Sequence, residues 1–131
     1  MPSYVFSVTS SKGFAPTVQA VTDALKQEGF GVLTSIDVQA TLKAKLGLDQ
    51  RPYTILGACN PALAHQALQV DPDIGALLPC NVVVREEADQ TVSVVFMDPR
   101  PVLGMVNRPG IEPLGEEVRS RLLRVAHALR V

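Results

Sequence analysis

The stretch NVVVREEADQTVSVVFM, Asn81 to Met97, decides the fold. Two runs rich in β-branched and aromatic residues, Asn81 to Glu86 and Thr91 to Met97, flank the polar segment Glu87-Ala88-Asp89-Gln90. Each run reads as a strand, and the segment between them reads as a hairpin loop. Strands joined this tightly run antiparallel, because a parallel neighbour needs a crossover of about a dozen residues. The hairpin therefore favours an α+β domain with a mixed or antiparallel sheet over a doubly wound one.

Upstream, the pattern alternates between strand and helix. Tyr4 to Thr9 places Tyr4, Phe6 and Val8 on one face, the period of a strand. Phe14 to Glu28 carries Phe14, Val18, Val21 and Leu25 on one helical stripe and stops at Gly29. Phe30 to Ile36 reads as a second strand. Asp37 is a good N-cap for a short helix with Val38, Leu42 and Leu46 turned inward and Gly47 closing it. Tyr53 to Ala58 is a third strand. Asn60-Pro61 pairs an N-cap with a first-turn proline, so a helix follows to about Val70. Asp71-Pro72 repeats the signal before a short turn or helix at Asp73 to Leu77.

Downstream, Asp98 to Pro113 is too rich in proline to form one regular element. A final helix from Leu114 to Arg130 buries Val118, Leu122, Val125 and Leu129. The predicted order is β-α-β-α-β-α-β-β-α, in two layers. The helices after Phe14 and Leu114 share one sheet face, because each has a single apolar stripe to cover. Residues 1–131 read as a single domain.

The composition narrows the function classes. The chain has 131 residues, 47% hydrophobic and only 19% charged, which argues against intrinsic disorder. A chain of this mass exposes about 6,700 Å² when folded against about 20,000 Å² extended, enough burial for a core without staples. Twelve Lys and Arg against thirteen Asp and Glu give a net charge of −1, so no nucleic-acid partner is expected. No apolar run reaches membrane-spanning length, so no membrane partner is expected either. The opening Met-Pro-Ser-Tyr lacks a basic region before an apolar stretch, so the expected location is cytoplasmic. The mean hydropathy of +0.19 is high for a small soluble monomer. A homodimer accounts for the surplus, with the charge-poor stretch Val102-Leu103-Gly104-Met105-Val106 as a candidate patch.

Both cysteines fall in Pro52 to Val84, and each precedes an asparagine: Cys59-Asn60 and Cys80-Asn81. Cys59 leaves a strand just before a helix N-terminus, and Cys80 enters the next strand. The two are expected to approach at one end of the sheet, with Asn60 and Asn81 fixing the turns. Cysteine is most often a small buried apolar residue, and that reading stands beside the functional ones. A disulfide is the less expected state in a cytoplasmic chain. Near a helix N-terminus a thiol pKa falls, which would allow thiolate chemistry at Cys59. A soft metal is a second option, with Cys59, Cys80, His65 and a carboxylate from Asp71 or Asp73 as ligand types that zinc accepts. The spacing matches no paired metal motif, and no cofactor motif is evident. His127, late in the last helix, suits the dipole there. The early Glu112, Glu116 and Glu117 and the later Arg119, Arg121, Arg124 and Arg130 fit dipole matching and i, i+4 pairs such as Glu117 with Arg121.

At these residues the chain resembles a family. The run GFGVLTSIDVQATLKAKLG (Gly29 to Gly47), then YTILGACNPALAHQAL, then GALLPCNVVV, is similar to the domain of unknown function 302 family. The resemblance runs from about Val5 to Pro99. It implies a compact α+β domain that dimerises, and it implies no reaction.

The chain lacks Gly-rich phosphate loops, paired catalytic carboxylates and a Ser-His-Asp pattern. The expected function is therefore a non-enzymatic module that binds or senses a small-molecule ligand or metal near Cys59, Asn60, His65, Cys80 and Asn81. The alternative is a thiol-dependent redox protein or enzyme that uses Cys59. A purely structural interaction module is the third reading.

Overall fold

The computed structural model describes residues 4–130. Its strands are β1 (Val5–Ser10), β2 (Gly31–Asp37), β3 (Tyr53–Cys59), β4 (Cys80–Glu86) and β5 (Val92–Met97). Its helices are α1 (Phe14–Gln27), α2 (Val38–Leu46), α3 (Pro61–Val70), α4 (Pro99–Gly104) and α5 (Ile111–Ala128), with a 3-10 turn at Pro72–Leu77. The strands form one sheet in the order β1-β5-β4-β3-β2, and every neighbouring pair is antiparallel. The hairpin at Glu87 to Gln90 joins the two strands at the centre, as the sequence predicts. No helix among the described residues is long and apolar enough to cross a membrane.

The register aligns the apolar positions into cross-strand rows. Leu56 lies opposite Val82, Val82 opposite Phe96, and Phe96 opposite Phe6. A second row runs from Val84 through Val94 to Val8. The rings of Phe6 and Phe96 stack with centroids 5.2 Å apart. Side chains alternate across a strand, so these rows share one face. Two amphipathic helices cover it: α1 through Val21 and Leu25, and α5 through Val118, Leu122 and Val125. Each such side chain, fully buried, contributes about 1.5–3 kcal/mol. Ile55, Val83 and Val95 alternate to the opposite side and belong to neither buried cluster.

Three local expectations are corrected. The helix α2 forms with the expected Asp37 cap, whose carboxylate accepts from the Ala40 amide at 2.9 Å, and ends on Gly47. However, it buries none of Val38, Leu42 and Leu46, and Leu46 is 65% exposed. The cause is topological: α2 follows directly on the edge strand β2, beyond the reach of α1 and α5. The last helix starts at Ile111, not Leu114, because Pro113 sits in the first turn, where the missing N–H has no intrahelical acceptor. The stretch Val102 to Val106 is not a surface patch. Leu103 is buried in a second cluster with Ala67, Ile74 and Ile111, Val102 and Val106 are half-buried, and Met105 alone keeps a large apolar side chain in solvent.

The second cluster sits where α3, the 3-10 turn, α4 and the start of α5 meet. Asp98 holds this corner to the sheet. Its buried carboxylate accepts from the Arg100 amide and from Arg119 Nε, both at 3.0 Å, tying the end of β5 to α4 and α5. At the other end of α5, Arg124 reaches Glu28 at 2.9 Å and Arg121 reaches the Glu28 carbonyl at 3.0 Å. The expected Glu117–Arg121 pair is present at 3.1 Å. Exposed pairs of this kind contribute about 0–1 kcal/mol each, so their main effect is to set the angle of α5 across α1.

Candidate functional site

The sheet end beneath α3 carries both cysteines. Cys59 is the last residue of β3, and Cys80 is the first of β4, directly opposite Ala58. Alternation therefore sends the Cys80 side chain to the helical face together with Ala58, while Cys59 leaves its strand in the opposite sense. Both thiols are free. The two cysteines nevertheless border one crevice between the sheet end, α3 and α5.

That crevice is narrow and apolar, with a volume of about 30 Å³. Leu63 and Ala67 of α3, Leu103 of α4 and Leu114 and Val118 of α5 form its far wall, with Ala58 and Cys80 as its floor. It is therefore the seam between the two hydrophobic clusters. Burial is the first cause of the thiol chemistry here. Burial, with the nearby Cys59 as the smaller cause, pushes Cys80 up to about 11. Burial also raises Cys59. The thiols are therefore neutral sulfhydryls at neutral pH. The expectation of a lowered pKa at Cys59 is corrected on that ground.

Asn60 does what its sequence position predicts. Its side-chain oxygen accepts from the Leu63 amide at 3.2 Å, capping α3. Its amide also lies against the Gly29 backbone, where a Cβ would come within 2.9 Å of Asn60 Nδ2. Gly29 has φ +84, so glycine is required there for both conformation and space. Asn81 differs from expectation. It lies inside β4 opposite Gly57, exposed, and holds no turn. His65 is exposed on α3 and is absent from the crevice wall. Asp71 caps the 3-10 turn through the Asp73 amide at 3.0 Å and faces Arg108, while Asp73 is exposed. Among the described residues no group of three or more His, Cys, Asp or Glu side chains comes together to hold a metal ion.

Sequence reasoning missed the far wall. Leu103, Leu114 and Ala67 reach the crevice only because α4 and α5 fold back over α3. One signal was present: Asp98-Pro99 repeats the cap-and-proline pairing of Asn60-Pro61 and marks the start of α4.

The family model described as "Domain of unknown function DUF302" matches residues 6–129. The chain belongs to the DUF302 family. The match runs past Pro99 through α4 and all of α5, so the crevice's far wall is part of the DUF302 unit rather than an appendage. The crystal structure of an uncharacterized conserved protein DUF302 from Bacillus stearothermophilus is similar over 98% of this chain and 100% of that one, with 33% sequence identity and a TM-score of 0.91. No curated protein matches the chain.

Neutral, buried thiols react slowly. With a pKa of about 11, Cys80 should be alkylated at pH 7.5 about 100-fold more slowly than a thiol at the ordinary value of 9.0, from thiolate fraction alone. Mass spectrometry after N-ethylmaleimide treatment should show Cys80 unmodified in native protein and both cysteines modified in urea. Native modification of Cys80 at the rate of glutathione would contradict the burial argument.

Proposed function

We propose that this chain is a non-enzymatic, cytoplasmic binding module whose crevice beside Cys59, Asn60 and Cys80 receives a small apolar group. The observation that supports this reading is the crevice itself: a gap at the seam of two clusters, walled by Leu63, Ala67, Leu103, Leu114 and Val118, with its thiols held neutral. A gap of about 30 Å³ exceeds the room one water needs, yet its lining is almost wholly apolar and the Asn60 side-chain oxygen is already taken by the Leu63 amide. Such a gap stays dry and takes an apolar group. A nucleophilic role for Cys59 lacks both a lowered pKa and a base, since His65 is absent from the crevice wall. The free thiols suit a reducing compartment.

We further propose that the module works as a homodimer through β2 and α2. Leu33 and Ile36 of β2, Leu46 of α2 and Leu48 just after it are 68%, 45%, 65% and 52% exposed. A nine-residue helix is marginal in water without a buried face, and on its own chain α2 only half-buries Val38 and Leu42. The edge strand β2 offers unpaired N–H and C=O groups, and a two-fold axis pairs such an edge with its own copy.

Two experiments test these readings. Xenon, a neutral apolar probe, should shift the methyl resonances of Leu63, Ala67 and Leu103, and Ala67→Leu, which fills the gap, should abolish the shift. No xenon response at these methyls, or an undiminished one in Ala67→Leu, would overturn the crevice reading. Sedimentation at micromolar concentration should give a dimer mass for the native chain and a monomer mass for Leu33→Asp. A monomer mass for the native chain across that range would overturn the dimer.

A further inference from the structure

The outward face of the sheet carries an aliphatic strip. Helices α1 and α5 pack on the other face, and α3 overlies its end at Ala58 and Cys80. The register sets Ile36 opposite Ile55, Ile55 opposite Val83, Val83 opposite Val95, and Val95 opposite Ser7. Four aliphatic side chains therefore cross β2, β3, β4 and β5 in one row. Ile36 is 45% exposed and the other three are half-buried. Polar residues border the row, with Asn81 and Thr34 on one side and Ser93 and Thr9 on the other. Over Gly57 the surface is filled in from this side, since a Cβ there would come within 2.6 Å of the Thr34 methyl and 2.9 Å of the Pro79 ring.

Charge and area decide the occupant. A sheet face left to water carries polar side chains along each strand, and the strip departs from that pattern. Among the described residues Arg85 is the one charged side chain at an outward strand position, and Glu87 neutralises it. Arg85 donates to Glu87 Oε2 from Nε at 3.1 Å, and Ser93 Oγ donates to the same oxygen at 2.7 Å. A face with no net charge meets its own copy without like-charge repulsion. An apolar, charge-poor centre inside a polar rim is also the anatomy of a protein interface. Strands about 4.8 Å apart, with six residues of about 3.4 Å rise, make one face about 480 Å² when taken flat. A stable interface needs about 800 Å² from each partner, so a single face falls short. Two chains joined edge to edge through β2 present one continuous sheet with a face of about 960 Å², which suffices. Oligomers with two such two-fold contacts close as tetramers.

We infer that the outward sheet face is a second self-association surface, on which two edge-paired dimers stack face to face into a tetramer, with the row from Ile36 to Val95 at its centre. This inference rests on the dimer reading through β2 and α2, because one chain alone lacks the area. Sedimentation of the whole chain at about 10 μM and about 500 μM tests it. The native chain should be a dimer at the lower concentration and a tetramer at the higher. Val83→Asp should remain a dimer at both. Asn81→Lys should do the same; Asn81 is exposed, so this change spares the chain's own core. Leu33→Asp should be a monomer at both. A native dimer at both concentrations would overturn the stack, leave the edge dimer standing and give the strip to another occupant. A tetramer undiminished in Asn81→Lys and Val83→Asp would overturn the assignment to this face. A native monomer at both would overturn the edge dimer and the stack with it.

Discussion

One constraint organises the molecule: the five antiparallel strands have a single apolar face, and it must be covered. Leu56, Val82, Val84, Val94 and Phe96 form that face, each 2% exposed or less. Only two helices in the chain are long and amphipathic enough to cover it, α1 and α5. Their placement fixes what is left. Helix α2 lies beyond the covered zone, α3 overlies only the sheet end at Ala58 and Cys80, and α4 packs on α5. These last two must find a second core, and they find it against the first turns of α5.

Helix α5 therefore serves both clusters. Its later residues, Val118, Leu122 and Val125, lie on the sheet, and its earlier ones, Ile111 and Leu114, close the second cluster. The cysteine crevice is the seam this dual duty leaves. The ion pairs of Asp98 with Arg119 and Glu28 with Arg124 tie the middle and later part of α5 to the end of β5 and the end of α1.

Much of the fold was legible in the sequence because its signals are local. The hairpin announced antiparallel pairing through Glu87 to Gln90, and Asp37 and Asn60 cap the helices they were expected to cap. The burial of α2 was not legible. Its Val38, Leu42, Leu46 spacing is that of a buried stripe, yet burial depends on which strand ends at the sheet edge, a property of the whole topology. The same limit applies at the site. The sequence placed Cys59 and Cys80 at strand termini and read the helix N-terminus as lowering a pKa, but the apolar wall that raises it comes from Leu103, Leu114 and Val118, far along the chain. His65 and Asn81 were singled out by nearness in sequence. In the fold, helix rotation and strand alternation turn both to solvent.

The central claim is that this seam is dry enough to hold its thiols neutral. Titration of the protein with ¹³Cβ-labelled cysteine, followed by NMR from pH 7 upward, measures this at each sulfur. Cys80 should titrate near its expected value of about 11, well above the ordinary 9.0, with Cys59 also above 9.0. A Cys80 midpoint at or below 9.0 would mean that water or a positive charge reaches the sulfur, and the account of an apolar crevice would be contradicted.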